Sequence, residues 1–122
     1  LDTSRGLGDV YKRQPLQMGA VSALSQSKDW FKNLNYEYSK RRKLVWELAD
    51  KLNCDFSRSS SGMFVWAKVK SNKTSIDYVD SLLNEKGIFI APGSIFGSNG
   101  EGYVRISLCN SETNIKKAIL RL

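Results

Sequence analysis

The segment Tyr103–Cys109 (YVRISLC) alternates strictly between apolar and polar residues, and this constrains the fold more than any other feature of the chain. Successive side chains of a strand point to opposite faces. Val104, Ile106 and Leu108 therefore share one face, which has to be the one against helices. Tyr103, Arg105, Ser107 and Cys109 share the other. Arg105 is the odd member of this second face. Its planar guanidinium matches a carboxylate in bidentate fashion, so an anion such as a substrate carboxylate is one reading. A solvated surface arginine, or one paired to a structural acid, is the commoner meaning of such a spacing.

The strand follows Pro92–Gly102, a stretch with four glycines and one proline that reads as a loop. Glycines let backbone approach a ligand closely. The stretch has neither the GxGxxG nor the GxxxxGK[ST] spacing, so a nucleotide-phosphate site is not indicated and a connecting loop is the simpler reading.

Upstream, the periodicity changes. Pro15 to about Gln26 carries Leu16, Ala20, Ala23 and Leu24 at helical spacing. Asp29 to about Leu52 is the strongest periodic segment. Trp30, Leu34, Tyr38, Val45, Leu48 and Leu52 mark one face, Arg41 and Arg42 bridge its middle, and Asn53 suits the cap. Ser57–Gly62 reads as a polar turn and Met63–Val69 as a strand. Thr74 or Ser75 caps a third helix with Ile76, Val79, Leu82 and Leu83 inward, and Gly87 follows its end. Ile88–Ala91 reads as a short strand. Asn110 or Ser111 caps a last helix with Ile115, Ala118, Ile119 and Leu122 on one face. The expected order is α-α-β-α-β-β-α: an α/β (α+β) domain with a small, mainly antiparallel sheet and helices on one face.

Composition narrows the chemistry. The chain of 122 residues has room for one compact core. It holds no histidine and two cysteines, Cys54 and Cys109, well short of the roughly four N or S ligands of a structural zinc, so no metal is expected. Ser-His and Cys-His nucleophiles are excluded. Two free thiols in a reducing cytosol are expected, with a single disulfide as the alternative. There is no apolar run near the roughly 20 residues of a membrane helix and no apolar secretory segment, so a cytoplasmic protein without membrane contact is expected. The net charge of +7 permits nucleic-acid binding, but the basic residues are scattered, which favours a solvated basic surface.

Residues 4–14 (SRGLGDVYKRQ) resemble the in-frame translation of a transposase sequencing adapter, most clearly over Asp9–Gln14. Two glycines flank Leu7 and no helical or strand period is present. The expectation is a non-native leader over 1–14, a domain over 15–122, and a parent protein longer than this chain.

From residue 15 onward the motifs converge. Ser61-Gly62-Met63-Phe64-Val65-Trp66-Ala67, then Gly87-Ile88-Phe89-Ile90-Ala91-Pro92-Gly93-Ser94, Phe96-Gly97 and Gly102-Tyr103-Val104-Arg105-Ile106-Ser107-Leu108-Cys109 resemble the C-terminal end of class I/II, fold-type I aminotransferases that depend on pyridoxal phosphate (PLP). Met18-Gly19-Ala20, Ala23-Leu24, Tyr38 and Arg41-Arg42 fit the same pattern. The resemblance implies that Arg105 binds the substrate α-carboxylate and that Phe96 and the Gly62-Met63-Phe64 turn belong to the active-site rim. It implies amino acid and 2-oxo acid substrates, ping-pong transamination with PLP as electron sink, and a homodimer when intact. The family's Schiff-base lysine follows a serine, directly or after two residues, and precedes glycine and arginine. Here Ser27-Lys28 precedes Asp29-Trp30 and Ser39-Lys40 precedes Arg41-Arg42, so both lysines read as solvated charges. The resemblance thus implies no catalytic and no cofactor-binding residue in this chain, with both supplied by a large domain that precedes it.

The competing reading is a small basic RNA- or nucleic-acid-binding module, with Phe64 and Trp66 on one strand face as stacking platforms. That fold runs β-α-β-β-α-β, whereas this chain opens with two helices. A free-standing helical interaction domain is a third reading.

Overall fold

The computed structural model describes residues 14–122. All of the adapter-like leader except Gln14 lies outside the described residues. The chain divides after Asn35 into two compact units. The first holds helix α1 (Gln14–Leu24) and the opening of α2 (Lys28–Lys51). Pro15 is accommodated in the first turn of α1, where an amide hydrogen has no intrahelical partner anyway. No residue of α1 is buried, and Leu16 and Leu24 of its apolar stripe are exposed.

The second unit carries the remainder of α2, then β1 (Cys54–Phe56), β2 (Phe64–Val69), α3 (Ser75–Lys86), β3 (Ala91–Pro92), two short 3-10 turns (Gly93–Phe96 and Ser98–Gly100), β4 (Tyr103–Ser107) and α4 (Glu112–Leu120). The strands form one antiparallel sheet in the order β1-β2-β4-β3. The α+β class and the antiparallel sheet stand as expected. The observed order, α-α-β-β-α-β-β-α, contains one strand more than the sequence suggested. Strand β1 is three residues long, too short to display a period, and exists because Cys54, Asp55 and Phe56 pair with Val69, Lys68 and Ala67. Asn53, in front of it, adopts the left-handed conformation at φ 55° and turns the chain out of α2.

The alternation of β4 holds as read. Val104 and Ile106 pair with Ala67 and Val65, and Val104, Ile106 and Leu108 are buried. They join Val45, Leu48 and Ala49 of α2, Val79 and Leu82 of α3, and Ile115 and Ile119 of α4 in one core on one side of the sheet. Burial of each such aliphatic side chain is worth about 1.5–3 kcal/mol.

Several helix faces differ from expectation. Trp30 and Leu34 of α2 are exposed, so the packed stripe of this helix is its C-terminal part. In α3, Thr74 is the N-cap: its hydroxyl oxygen accepts from the Asp77 amide. Ser75, Val79 and Leu82 turn inward, whereas Ile76 and Leu83 are exposed; Ser75 Oγ accepts from the Gly102 amide at the end of the loop after β3. Ser111 caps α4 by accepting from the Asn114 amide, and Leu122 is partly exposed. Ile88 and Ile90 are buried with Phe89 exposed between them, the alternation of a strand, yet ladder pairing begins only at Ala91 and Pro92. Proline is tolerated there because β3 is an edge.

The loop after β3 is held by a close backbone approach. A Cβ on Gly93 would press on the Gly100 carbonyl oxygen and lie 2.7 Å from that of Tyr103. Neither neighbour is a side chain that could swing away. Gly93→Ala is therefore expected to destabilise the second unit by about 2–4 kcal/mol, read from the urea midpoint; a loss below about 0.5 kcal/mol would contradict this packing.

Candidate functional site: an arginine between two phenyl rings

Arg105 occupies the centre of β4, opposite Trp66 of β2 on one side and Ala91 of β3 on the other. Its side chain lies on the face away from the core. The guanidinium carbon sits 4.2 Å from the centroid of the Phe64 ring and 4.0 Å from that of Phe96. Both rings present their faces to the cation, an arrangement worth roughly 0.5–1 kcal/mol per ring at a partly solvated site. No salt bridge engages Arg105 among the described residues; the ion pairs there are Lys32–Asp29, Lys40–Glu37, Arg58–Asp50 and Lys70–Asp55. The structural-acid reading of Arg105 thus finds no acid among these residues, and the guanidinium is held by apolar rings with its hydrogen-bond fork unspent on an ion pair.

Three elements build this slot. Phe64 is the first residue of β2, and Phe96 ends the 3-10 turn after β3. Trp66 stacks on Tyr103 at 5.6 Å and 16° and meets Phe96 edge-on at 5.9 Å, which fixes the Phe96 wall. The structure therefore brings Arg105 and Phe96 together. Gly62 stands in the turn that leads into Phe64 and is not itself part of the ring contact. The aromatic rings proposed as nucleic-acid platforms are already occupied, Phe64 by Arg105 and Trp66 by Tyr103 and Phe96. A groove of about 260 Å³ between the sheet edge and the helices is lined mainly by apolar residues such as Val45, Leu48, Ile90 and Ile115, with Arg105, Ser107, Asn110 and Asn114 as its polar members.

The loop bearing Phe96 is anchored from below by residues the sequence reading missed. Glu101 Oε1 accepts from the Ser75 amide at 2.6 Å and from the Ser75 hydroxyl at 3.0 Å, while Ser75 Oγ accepts from the Gly102 amide at 2.8 Å. Ser75 is buried although polar, because these bonds satisfy it. A separation of 26 residues between Ser75 and Glu101 leaves no local signal to find.

The two lysines that directly follow serines, Lys28 and Lys40, do not suit imine chemistry. Lys40 is ion-paired with Glu37 at 2.7 Å, and that hydrogen bond raises its ammonium pKa, whereas an imine-forming lysine has to give up its proton. Lys28 opens α2 on an exposed surface. Cys54 is buried, Cys109 is exposed, and both are free thiols. No helix among the described residues is long and apolar enough to cross a membrane.

The second unit is thus a small α+β unit whose antiparallel sheet presents, on its outer face, an arginine in an aromatic slot. Residues 8–122 match the family model for aminotransferase class I and II, and the chain belongs to that PLP-dependent family. The LL-diaminopimelate aminotransferase of Maridesulfovibrio salexigens is 36% identical over 96% of this chain and 32% of its own length. That of Halothermothrix orenii is 34% identical over 89% of this chain and 28% of its own length. Among solved structures, an aromatic aminotransferase from Pyrococcus horikoshii superposes with a TM-score of 0.73 at 30% identity, covering 84% of this chain and 28% of that one. Substrate-bound BacF from Bacillus subtilis superposes with a TM-score of 0.74 at 30% identity, covering 87% and 28%. The chain spans about a third of the length of the curated relatives it matches.

The Glu101 anchor makes the loop sensitive to acid. Hydrogen bonds from the Ser75 amide and hydroxyl hold the Glu101 carboxyl below its ordinary value of 4.5. A depressed folded-state pKa contributes stability that is fully present above about 4.5 and is lost as pH falls through the lower folded value. Urea midpoints measured from about pH 6 to pH 3 should fall less steeply in Glu101→Gln than in the parent; parallel profiles would show that the anchor does not act in this way.

Proposed function

We propose that this chain is the C-terminal small domain of a PLP-dependent amino acid aminotransferase and that Arg105 receives the substrate α-carboxylate. The observation that carries this reading is the guanidinium fixed between Phe64 and Phe96 with no acid paired to it among the described residues. Family membership supplies the reaction class: exchange of an amino group between an amino acid and a 2-oxo acid. PLP supplies an electron sink for that exchange, held by a lysine outside this chain. The work of these residues is orientation. The rings leave the guanidinium edge open for two parallel hydrogen bonds to a carboxylate, which fixes the amino acid at one end and limits its rotation. Phe96 and the Gly62–Phe64 turn form the rim.

An amino donor of the diaminopimelate kind has the support of the curated relatives' names. The intact enzyme is proposed to be a cytoplasmic homodimer in which a large domain holds the cofactor. Two free thiols accord with a reducing compartment. The nucleic-acid alternative finds no support in the family or in the occupied aromatic rings.

In the full-length enzyme, Arg105→Ala should raise KM for the amino acid and lower kcat/KM by about 100-fold or more, the usual cost of removing one partner of a desolvated charge pair. Unchanged kinetics would overturn the assignment. A spectrophotometric titration gives a second check: the 122-residue chain alone should leave the absorbance spectrum of added PLP as it is in buffer, and a new protein-dependent band would contradict the placement of the lysine elsewhere.

A further inference from the structure

Two consecutive arginines of α2 reach the two strands that form the Arg105 slot. Arg42 donates from Nη2 to the Gly62 carbonyl at 2.7 Å and from Nη1 to the Ser60 carbonyl at 3.3 Å. Arg41 donates from Nη1 to the Leu108 carbonyl at 3.4 Å. The Leu108 amide in turn donates to the Met63 carbonyl at 2.9 Å, the last rung of the β2–β4 ladder. One turn of a helix on the core side thus grips both the chain entering β2 and the chain leaving β4.

What this grip controls is Phe64. The ring is the first of β2 and is 42% exposed, as its neighbour Met63 is 44%, so packing confines it only in part. Its direction is set by the turn before it, where Gly62 takes φ +100°. Such a backbone is a shallow choice for glycine, which has no Cβ to confine it. A guanidinium fork bonded to two carbonyls two residues apart selects one conformation of that turn, which a single-point cation cannot do. We propose that Arg42, steadied by Arg41, is a positioning residue of the substrate site: it sets the Ser60–Gly62 turn so that the Phe64 ring covers one face of Arg105. It touches neither substrate nor cofactor. Its catalytic consequence rests on Arg105 being the carboxylate clamp.

The test uses the full-length enzyme with 4-fluorophenylalanine placed at position 64, and reads the fluorine resonance together with KM and kcat. Arg105→Lys, which removes the planar cation from the ring face, calibrates the resonance for a lost contact. Arg42→Gln should move the resonance toward that calibrated position and raise KM about 10-fold with kcat within about threefold. Arg42→Lys, which keeps charge and stem but lacks the fork, should lie between, and it serves if the glutamine variant fails to fold. A resonance and KM at parent values in either folded variant overturn the proposal, and so does a loss of thermal stability with both unchanged, which marks a plain staple. If Arg105→Ala leaves kinetics unaltered while Arg42→Gln still moves the resonance, the clamp reading alone has failed.

Discussion

Strand β4 is bonded on both edges, to β2 and to β3, so its two faces meet opposite demands that sequence parity has to satisfy at once. Toward the helices, Val104 and Ile106 complete a dry core with residues from α2, α3 and α4. Toward the other side, the same backbone carries Tyr103 and Arg105. A shift of one residue in the ladder would bury the guanidinium and expose the valine and isoleucine, an exchange that costs several kcal/mol in desolvation alone. The position of Arg105 is therefore enforced by the core. The hydrophobic residues of the core decide where the Arg105 side chain points.

Aromatic rings then do what the strand cannot. Strand parity gives a direction, but a long arginine side chain retains many rotamers, and ordering it costs up to about 2 kcal/mol. Phe64 and Phe96 come from opposite flanks, one from β2 and one from the loop after β3, and confine the guanidinium to a plane between them. Each wall has its own support: Trp66 and Tyr103 back Phe96, and the arginine pair of α2 holds the turn before Phe64. A fork ordered before its ligand arrives loses less entropy on binding.

The loop that carries Phe96 illustrates how much depends on contacts remote in sequence. Gly93 and Gly100 approach so closely that no side chain fits between them, and Glu101 ties the loop to the first residues of α3 through Ser75. The same bonds satisfy Ser75 in its buried position, while Ile76 and Leu83 of α3 are exposed.

The amino-acid sequence by itself determined the α+β class, the four helices, the parity of β4 and the identity of Arg105 as the cation on its outer face. These follow from short-range periodicity and capping, which are legible wherever a segment is long enough to repeat. The stretch from residue 15 onward also carried the family's motifs in order. Tertiary structure alone decided the rest. Strand β1 has no period of its own and is made by pairing with β2; the stripe of α2 is buried only where the sheet covers it; Phe64, Ser75, Glu101 and Arg42 acquire their roles from residues about 20 to 40 positions away; and Phe96 meets Trp66 of β2 as well as its nearer neighbour Arg105. Contacts at such separation depend on how the sheet closes, and nothing local encodes them.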